Sequence, residues 1–179
     1  MREIKFRVWH KQTKQFVKQD IFYLDEPSSI GQLSVGLDGT LIQAGMYEAY
    51  DYGHDTVILT DEKGNISEGP GFNIFCVDKG ALYSPNKGVL EGITRQTVLD
   101  LAKELNIPFQ LSSISLEKLK KSNEVFATST AGGIMPITKI NGQPIVQGEP
   151  GEITRKLHKT YWEKHSDSSW SESIEDLLN

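Results

Sequence analysis

The chain has 179 residues, which is enough for one domain with a hydrophobic core or for a modest domain with an appendage. Its 37% apolar and 24% charged residues are typical of a folded protein rather than a disordered one. A net charge of −5 without a basic block argues against a nucleic-acid partner. No apolar run reaches the ~18 residues of a membrane span, and the N-terminus lacks the apolar core of a secretory signal. Cys76 is the single cysteine, so we expect no internal disulfide and a cytoplasmic location.

The sequence pattern of the first 40 residues differs from that of the rest of the chain, which predicts two domains. In residues 1–40, the alternating pattern "IKFRVW" and short apolar runs separated by Pro-Ser-Ser and Asp-Gly predict a small β-rich segment. Residues 41–179 show a mixed pattern, with strand candidates "DTVILTD", "FNIFCVD", "ALYSP", "FQLSSI" and "EVFATST". We expect a hairpin with its tip at Lys63-Gly64-Asn65 and "FNIFCVD" as its return strand, and a second hairpin around Asn141-Gly142.

Three helices are predicted in the second domain. Thr94 is the expected N-cap of the first, which ends at Asn106 and Pro108. Ser115 is expected to cap a short helix, and a third helix spans residues 152–165. The first helix has one apolar face, formed at positions i, i+3, i+4 and i+7 by Val98, Leu101, Ala102 and Leu105. Strands mixed with helices indicate an α+β fold.

Three glycine-containing loops follow predicted strands: "EGPGFN" at 68–73, "GVLEGITR" at 88–95 and "TSTAGG" at 128–133. Glycine lets backbone N–H groups approach a ligand, and a helix start adds unpaired N–H donors and partial positive charge. The "GIT" stretch is therefore a candidate anion site suited to a phosphate, to which "STAGG" would add hydroxyl and N–H groups. Ordinary turn chemistry is the alternative for either loop alone.

Glu68 precedes the Gly-Pro-Gly turn. Most glutamates are solvated surface charges, so a functional interpretation requires a cationic partner. A protonated ring nitrogen would serve, because a carboxylate keeps a pyridine charged and makes the ring a better electron sink. Together with the anion loops, this residue favours a phosphorylated pyridine cofactor.

A long segment, from about residue 46 to residue 176, resembles the class IV aminotransferases. The resemblance is carried by "MYEAYDYGHDTVILTDEKGNISEGPGFNIF", "GALYSP", "GVLEGITRQTVLDLAKELNI", "EVFATSTAGGIMPITKINGQPI" and "GEITRKLHKTYWEKH". It implies the large domain of the D-amino acid aminotransferase-like fold, a mixed sheet or pseudo-barrel with flanking helices. It also implies pyridoxal 5′-phosphate as cofactor, an amino donor and a 2-oxo acid as substrates, and a homodimer. The branched-chain and (R)-amine branches are the most similar.

The resemblance also assigns roles by position. Glu68 matches the glutamate that pairs with the pyridine nitrogen, and Leu90 matches the leucine that packs against the ring. Ile93 and Thr94 match the helix-start residues that hold the phosphate, and Thr130 matches the threonine that binds it from the opposite loop. Ala131 and Gly132 match backbone that faces the substrate.

One departure from the family concerns its catalytic lysine, which holds the cofactor as a Schiff base. That lysine lies upstream of the segment matching "MYEAYDYG", yet no lysine occurs between Lys18 and Lys63. No catalytic residue is therefore assignable. The small N-terminal domain and its phosphate-binding arginine are not found either, so we expect a truncated large domain with impaired activity.

Two alternatives to an active enzyme remain open. One is a non-catalytic remnant that keeps the cofactor-binding loops. The other is an accessory protein, because "MREIKFRVWHKQTKQFV" weakly resembles the start of YopX-type phage proteins. No metal site is expected, since the histidines are scattered. Cys76 is expected to be a buried structural thiol. His158 and His165 are expected to lie on a solvated helix face.

Overall fold

The computed structural model describes residues 22–24, 55–61 and 63–171. The predicted β-rich segment lies outside the described residues except for β1 (Phe22–Leu24), and so do the first residues of the family-like segment and the chain end from 172. A small antiparallel sheet contains β1, β2 (Thr56–Ile58), β9 (Lys139–Ile140) and β10 (Gln143–Pro144) in the order β10-β9-β1-β2. No helix in the described part of the chain is long and apolar enough to cross a membrane.

A larger sheet carries the rest of the fold. Its strands are β3 (Glu68–Gly69), β4 (Phe72–Asp78), β5 (Ala81–Ser84), β6 (Phe109–Leu111), β7 (Glu124–Ser129) and β8 (Gly133–Ile137). The order is β6-β5-β4-β7-β8, with β3 pairing to β4. All pairs are antiparallel except β5 with β6.

Among the described residues, three helices accompany the sheets: α1 (Ile93–Glu104), α2 (Leu116–Lys121) and α3 (Glu152–Lys164). Alternation along β4 sends Phe75 and Val77 into a core shared with α1 and α3, where the Phe75 and Phe126 rings stack at 5.0 Å. The opposite face, with Ile74 and Cys76, packs against α2 and the small sheet. The structure is therefore mixed α/β, as predicted.

Two predicted details are wrong. "FNIFCVD" is a strand, but it is not the return strand of the hairpin at residues 63–65, because Leu59 pairs with Ser67 and Glu68 instead. The chain then reverses again at Pro70-Gly71, where Gly71 has a φ of 84°, which glycine adopts at little cost. Thr94 is not an N-cap either: α1 begins at Ile93 after Gly92, and Thr94 is buried in its first turn.

Other predictions are confirmed. Ser115 Oγ accepts a hydrogen bond from Lys118 N at 3.2 Å and caps α2, and Asn141-Gly142 connects β9 to β10 with positive φ at both residues. The Cys76 thiol is buried, which raises its pKa.

The prediction for the histidines of α3 is confirmed only in part. His158 and His165 are exposed, but Nδ1 of each lies 2.8 Å from a carbonyl oxygen, of Ile134 and Tyr161 respectively. The His165 ring also packs on Tyr161 and Trp162. Neither ring is simply solvated.

Candidate cofactor site

The double reversal of the chain sets Glu68 directly opposite Asn73. β3 and β4 form a tight hairpin whose register pairs these two residues. Gly69 is required there, because a Cβ at that position would collide with the Phe72 ring. Asn73 lies two residues before Phe75, so its side chain shares the sheet face on which α1 packs. The Glu68–Asn73 pair therefore lies beside the helix.

Two hydrogen bonds join this pair to the loop that precedes α1, and a third joins the two residues of the pair to each other. Leu90 N donates to Glu68 Oε2 at 2.7 Å, and Asn73 Nδ2 donates to the same oxygen at 3.1 Å. Asn73 Nδ2 also donates to the Leu90 carbonyl at 2.9 Å. The first two glycine-containing loops, which are separate in sequence, thus meet at one carboxylate.

The surroundings of Glu68 favour a cationic partner. The carboxyl is half-buried, and burial raises its pKa above the ordinary value. The Leu90 N–H and the positive charge of Arg95 partly oppose that rise. A positively charged group beside this carboxylate would offset the remaining cost of burying it.

The start of α1 offers unpaired donors. Gly92 precedes the helix and brings no capping side chain, and the first N–H groups of any helix lack acceptors within it. A Cβ at Gly92 would collide with Asn73 Oδ1, so the helix start lies directly against the Glu68–Asn73 pair. Leu90 and Ile93 are 71% and 82% exposed, which leaves apolar surface on either side of this helix end.

The third loop lies at the same end of the sheet. Thr128 pairs with Asn73 across β4 and β7, and its buried Oγ1 has no hydrogen-bond partner among the described residues. Beyond it, Thr130 and Ala131 are exposed in the turn, and Gly132 N donates to Ser129 Oγ at 2.9 Å. A buried hydroxyl without a partner costs stability unless something satisfies it.

These features fit a phosphorylated pyridine. Glu68 offers a carboxylate for a ring nitrogen. The neighbouring helix start and β7–β8 turn offer uncapped N–H groups, the hydroxyl of the exposed Thr130 and the unsatisfied Thr128 Oγ1 for an anion. The loops carrying all seven sequence-predicted residues are brought to one end of one sheet.

Sequence reasoning missed three residues near the site. Asn73 and Thr128 lie in the first and third glycine-containing loops, but the sequence predicts no role for either residue. Arg95 is 1% exposed: its Nε donates to Ser84 Oγ at 3.1 Å and its Nη2 to the Pro85 carbonyl at 2.8 Å. Asn73 has no local signal, because its position opposite Glu68 depends on the register of β3 with β4. No sequence signal marked Arg95, because arginine is ordinarily exposed.

Comparison with known proteins agrees with this geometry. The family model for amino-transferase class IV matches residues 44–140. The chain belongs to the class IV aminotransferases, a family that depends on pyridoxal phosphate, and its relatives are of the branched-chain type.

The branched-chain aminotransferase of Pseudomonas aeruginosa is 35% identical over 119 residues, which cover 66% of this chain and 39% of that protein. Two solved structures of branched-chain aminotransferases are also similar. The enzyme from Thermobaculum terrenum, solved in its PLP form, matches with a TM-score of 0.62 and 35% identity over 65% of this chain and 39% of that one. The enzyme from the archaeon Thermoproteus uzoniensis, solved with norvaline, matches with a TM-score of 0.64 and 36% identity over 72% and 44%. The chain spans about two fifths of the length of the curated relatives it matches.

Proposed function

We propose that residues 41–179 form a pyridoxal 5′-phosphate-binding domain in which amino transfer is impaired. The proposal rests on one observation: Glu68, Asn73 and Leu90 are hydrogen-bonded to one another beside the uncapped start of α1. The family match begins at residue 44, and β1, which comes from the first 40 residues, pairs with β2 and β9 of this domain.

In this proposal each residue has one role. Glu68 accepts a hydrogen bond from the protonated ring nitrogen, and Leu90 covers one face of the ring. The backbone N–H groups of Ile93 and Thr94 bind the phosphate from the helix start, and Thr130 binds it from the β7–β8 turn. Backbone at Ala131 and Gly132 faces the amino acid or 2-oxo acid.

The cofactor, when bound, supplies an electron sink for the α-carbon of an amino donor. Moving the α-proton requires a general base, which the family provides as its lysine. This sequence has no lysine in residues 19–62, where the family's lysine would fall. Loss of such a group removes typically ~10²–10⁴-fold from the rate, and loss of the covalent attachment adds to that. We therefore propose that the domain keeps cofactor binding and lacks efficient turnover.

The test separates binding from reaction by using pyridoxamine 5′-phosphate, which has no aldehyde and cannot react with surface lysines. Calorimetric titration should show one saturable site per chain. Glu68→Gln should weaken binding roughly tenfold or more, because a hydrogen bond to a charged group is worth about 1.5–3 kcal/mol. Thr130→Ala should weaken it about tenfold on the same ground.

Glu117→Gln is the matched control. Its carboxylate is 85% exposed on α2 and lies 3.8 Å from Lys121 Nζ, so binding should not change. Absence of saturable binding by the parent chain, or equal affinity in all variants, would refute the proposed domain function.

A second measurement addresses turnover. The chain is mixed with pyridoxal 5′-phosphate, leucine and 2-oxoglutarate, and glutamate formation is followed against a protein-free control. We expect no excess over the control, and borohydride reduction with peptide mapping should label no single lysine preferentially. Turnover above the control, with one lysine labelled, would contradict the proposed impairment and would identify the replacement base. Homodimer formation stays a prediction from the family, to be checked by light scattering.

A further inference from the structure

Asn73 is the residue that connects the Glu68 carboxylate to the loop before α1 and to the start of that helix. Its Nδ2 donates both to Glu68 Oε2 at 3.1 Å and to the Leu90 carbonyl at 2.9 Å. Its Oδ1 lies against Gly92, where a Cβ would collide with it. One buried side chain therefore contacts the carboxylate, the loop before α1 and the residue that starts the helix.

Without Asn73, this connection would rest on a single bond. Leu90 N would still donate to Glu68 Oε2, but the Leu90 carbonyl would keep only the Gly92 N–H, at 2.8 Å, as a donor, and the space beside Gly92 would be empty. The Leu90 N–H would then be the single hydrogen bond that joins the loop to the carboxylate. The carboxylate would also lose one of the two donors that stabilise its ionised form.

We infer that Asn73 is a positioning residue, which holds the Glu68 carboxyl in a fixed place beside the start of α1. This inference rests on the proposed function, because it assigns the spacing between the two groups that would bind the ring nitrogen and the phosphate. Asn73 acts through Glu68 and Leu90 and does not itself contact the cofactor.

The physical consequence can be measured without any cofactor. Because the Leu90 N–H donates to Glu68, its amide signal in ¹⁵N–¹H spectra should shift as Glu68 titrates, and Glu68→Gln should abolish that titration. Removing the Asn73 donor disfavours the carboxylate, so the Glu68 pKa should rise. Asn73→Ala should make Glu68 a roughly tenfold weaker acid, as expected for one lost hydrogen bond to a charge.

A second variant guards against misfolding of the first. Asn73→Asp is nearly isosteric, and once ionised it replaces the donor with a like charge, so Glu68 should become weaker still as an acid. Asn123→Ala is the control: Asn123 Oδ1 accepts a hydrogen bond from Lys79 N at 2.9 Å, next to the far end of β4, and its loss should leave the Leu90 titration unchanged. A role confined to packing would lower stability in Asn73→Ala and would not move the midpoint.

Pyridoxamine 5′-phosphate affinity provides the second readout, with an expected decrease of about tenfold in Asn73→Ala. If the parent chain does not bind this probe, the proposed function fails, and the Leu90 titration alone decides the role of Asn73. If the parent binds but the Asn73 variants keep both the midpoint and the affinity, the positioning role is overturned while the proposed function stands.

Discussion

The burial of Arg95 leads to a prediction about what holds the loop before α1 in place. Its side chain is 1% exposed, and it reaches from the first turn of the helix back to the end of β5. Nε donates to Ser84 Oγ, Nη2 donates to the Pro85 carbonyl, and Nη1 lies 3.1 Å from Glu91 Oε2. These bonds connect the two ends of the segment that carries Leu90.

The stability that Arg95 contributes can be estimated by adding the contributions of its separate bonds. The Glu91 partner is 81% exposed, so that ion pair contributes about 0–1 kcal/mol. The two buried bonds come from a charged donor and contribute about 1.5–3 kcal/mol each. Arg95→Met keeps most of the apolar stem and leaves the Pro85 carbonyl without its donor. We therefore expect a loss of about 3–6 kcal/mol from the free energy of unfolding, a large part of the about 5–15 kcal/mol typical of a domain.

Urea denaturation followed by tryptophan fluorescence measures this loss. Lys103→Met is the matched control, because the Lys103–Asp100 pair has both side chains about half exposed and should contribute less than about 1 kcal/mol. Arg95→Lys should retain one of the two buried bonds and lose about half as much as Arg95→Met. A loss below about 1 kcal/mol in Arg95→Met would refute the argument that these bonds hold the loop.

Three further predictions concern stability. Glu124→Gln should cost about 1–3 kcal/mol in urea denaturation, because the Glu124 carboxylate accepts from Thr154 N at 2.7 Å and Thr154 Oγ1 at 2.6 Å at the start of α3; an unchanged midpoint would contradict this capping role. Gly92→Ala should lower the free energy of unfolding by about 1–3 kcal/mol and displace the Leu90 amide signal, because the added Cβ collides with Asn73. The backbone itself does not oppose the change, since the φ of −64° suits alanine. A stable variant with an unmoved signal would show that the Asn73 side chain can move aside without cost. The pKa of Glu68 is raised in the folded protein, so ionisation of this carboxyl destabilises the fold as the pH rises above 4.5, the ordinary pKa. Glu68→Gln should flatten this pH dependence of the unfolding temperature. Parallel curves of unfolding temperature against pH for the two proteins would contradict the prediction.

The sequence predicted those parts of the fold whose signals are local. The Asn-Gly pair, the Ser115 cap and the apolar face of α1 each depend on a few neighbouring residues, and all three are confirmed. The sequence predicts the Gly-Pro-Gly turn but not that it joins β3 to β4, because "FNIFCVD" suits either strand of a hairpin, and only the pairing partners distinguish the two.

The candidate site also divides into residues that a local sequence signal marks and residues that only the folded structure reveals. Glu68 and the "GIT" stretch could be singled out because a carboxylate and a glycine-led helix start have recognisable chemistry. Asn73 and Arg95 could not, since an asparagine near a turn and an arginine in a helix are usually exposed. Their roles depend on register, which places Asn73 opposite Glu68, and on the depth at which α1 packs, which buries Arg95 beside Ser84.

The position of these groups leads us to expect that cofactor binding and catalysis are separable in this chain. The proposed binding groups belong to residues 68–133, and hydrogen bonds within that stretch hold the carboxylate and the helix start together. The groups that would hold the two ends of a phosphorylated pyridine therefore need no lysine to be held in place. A general base adds the movement of the α-proton and does not build the binding loops. Binding and turnover should therefore fail independently, and pyridoxamine 5′-phosphate affinity measured beside glutamate formation distinguishes a domain that binds without reacting from one that does neither.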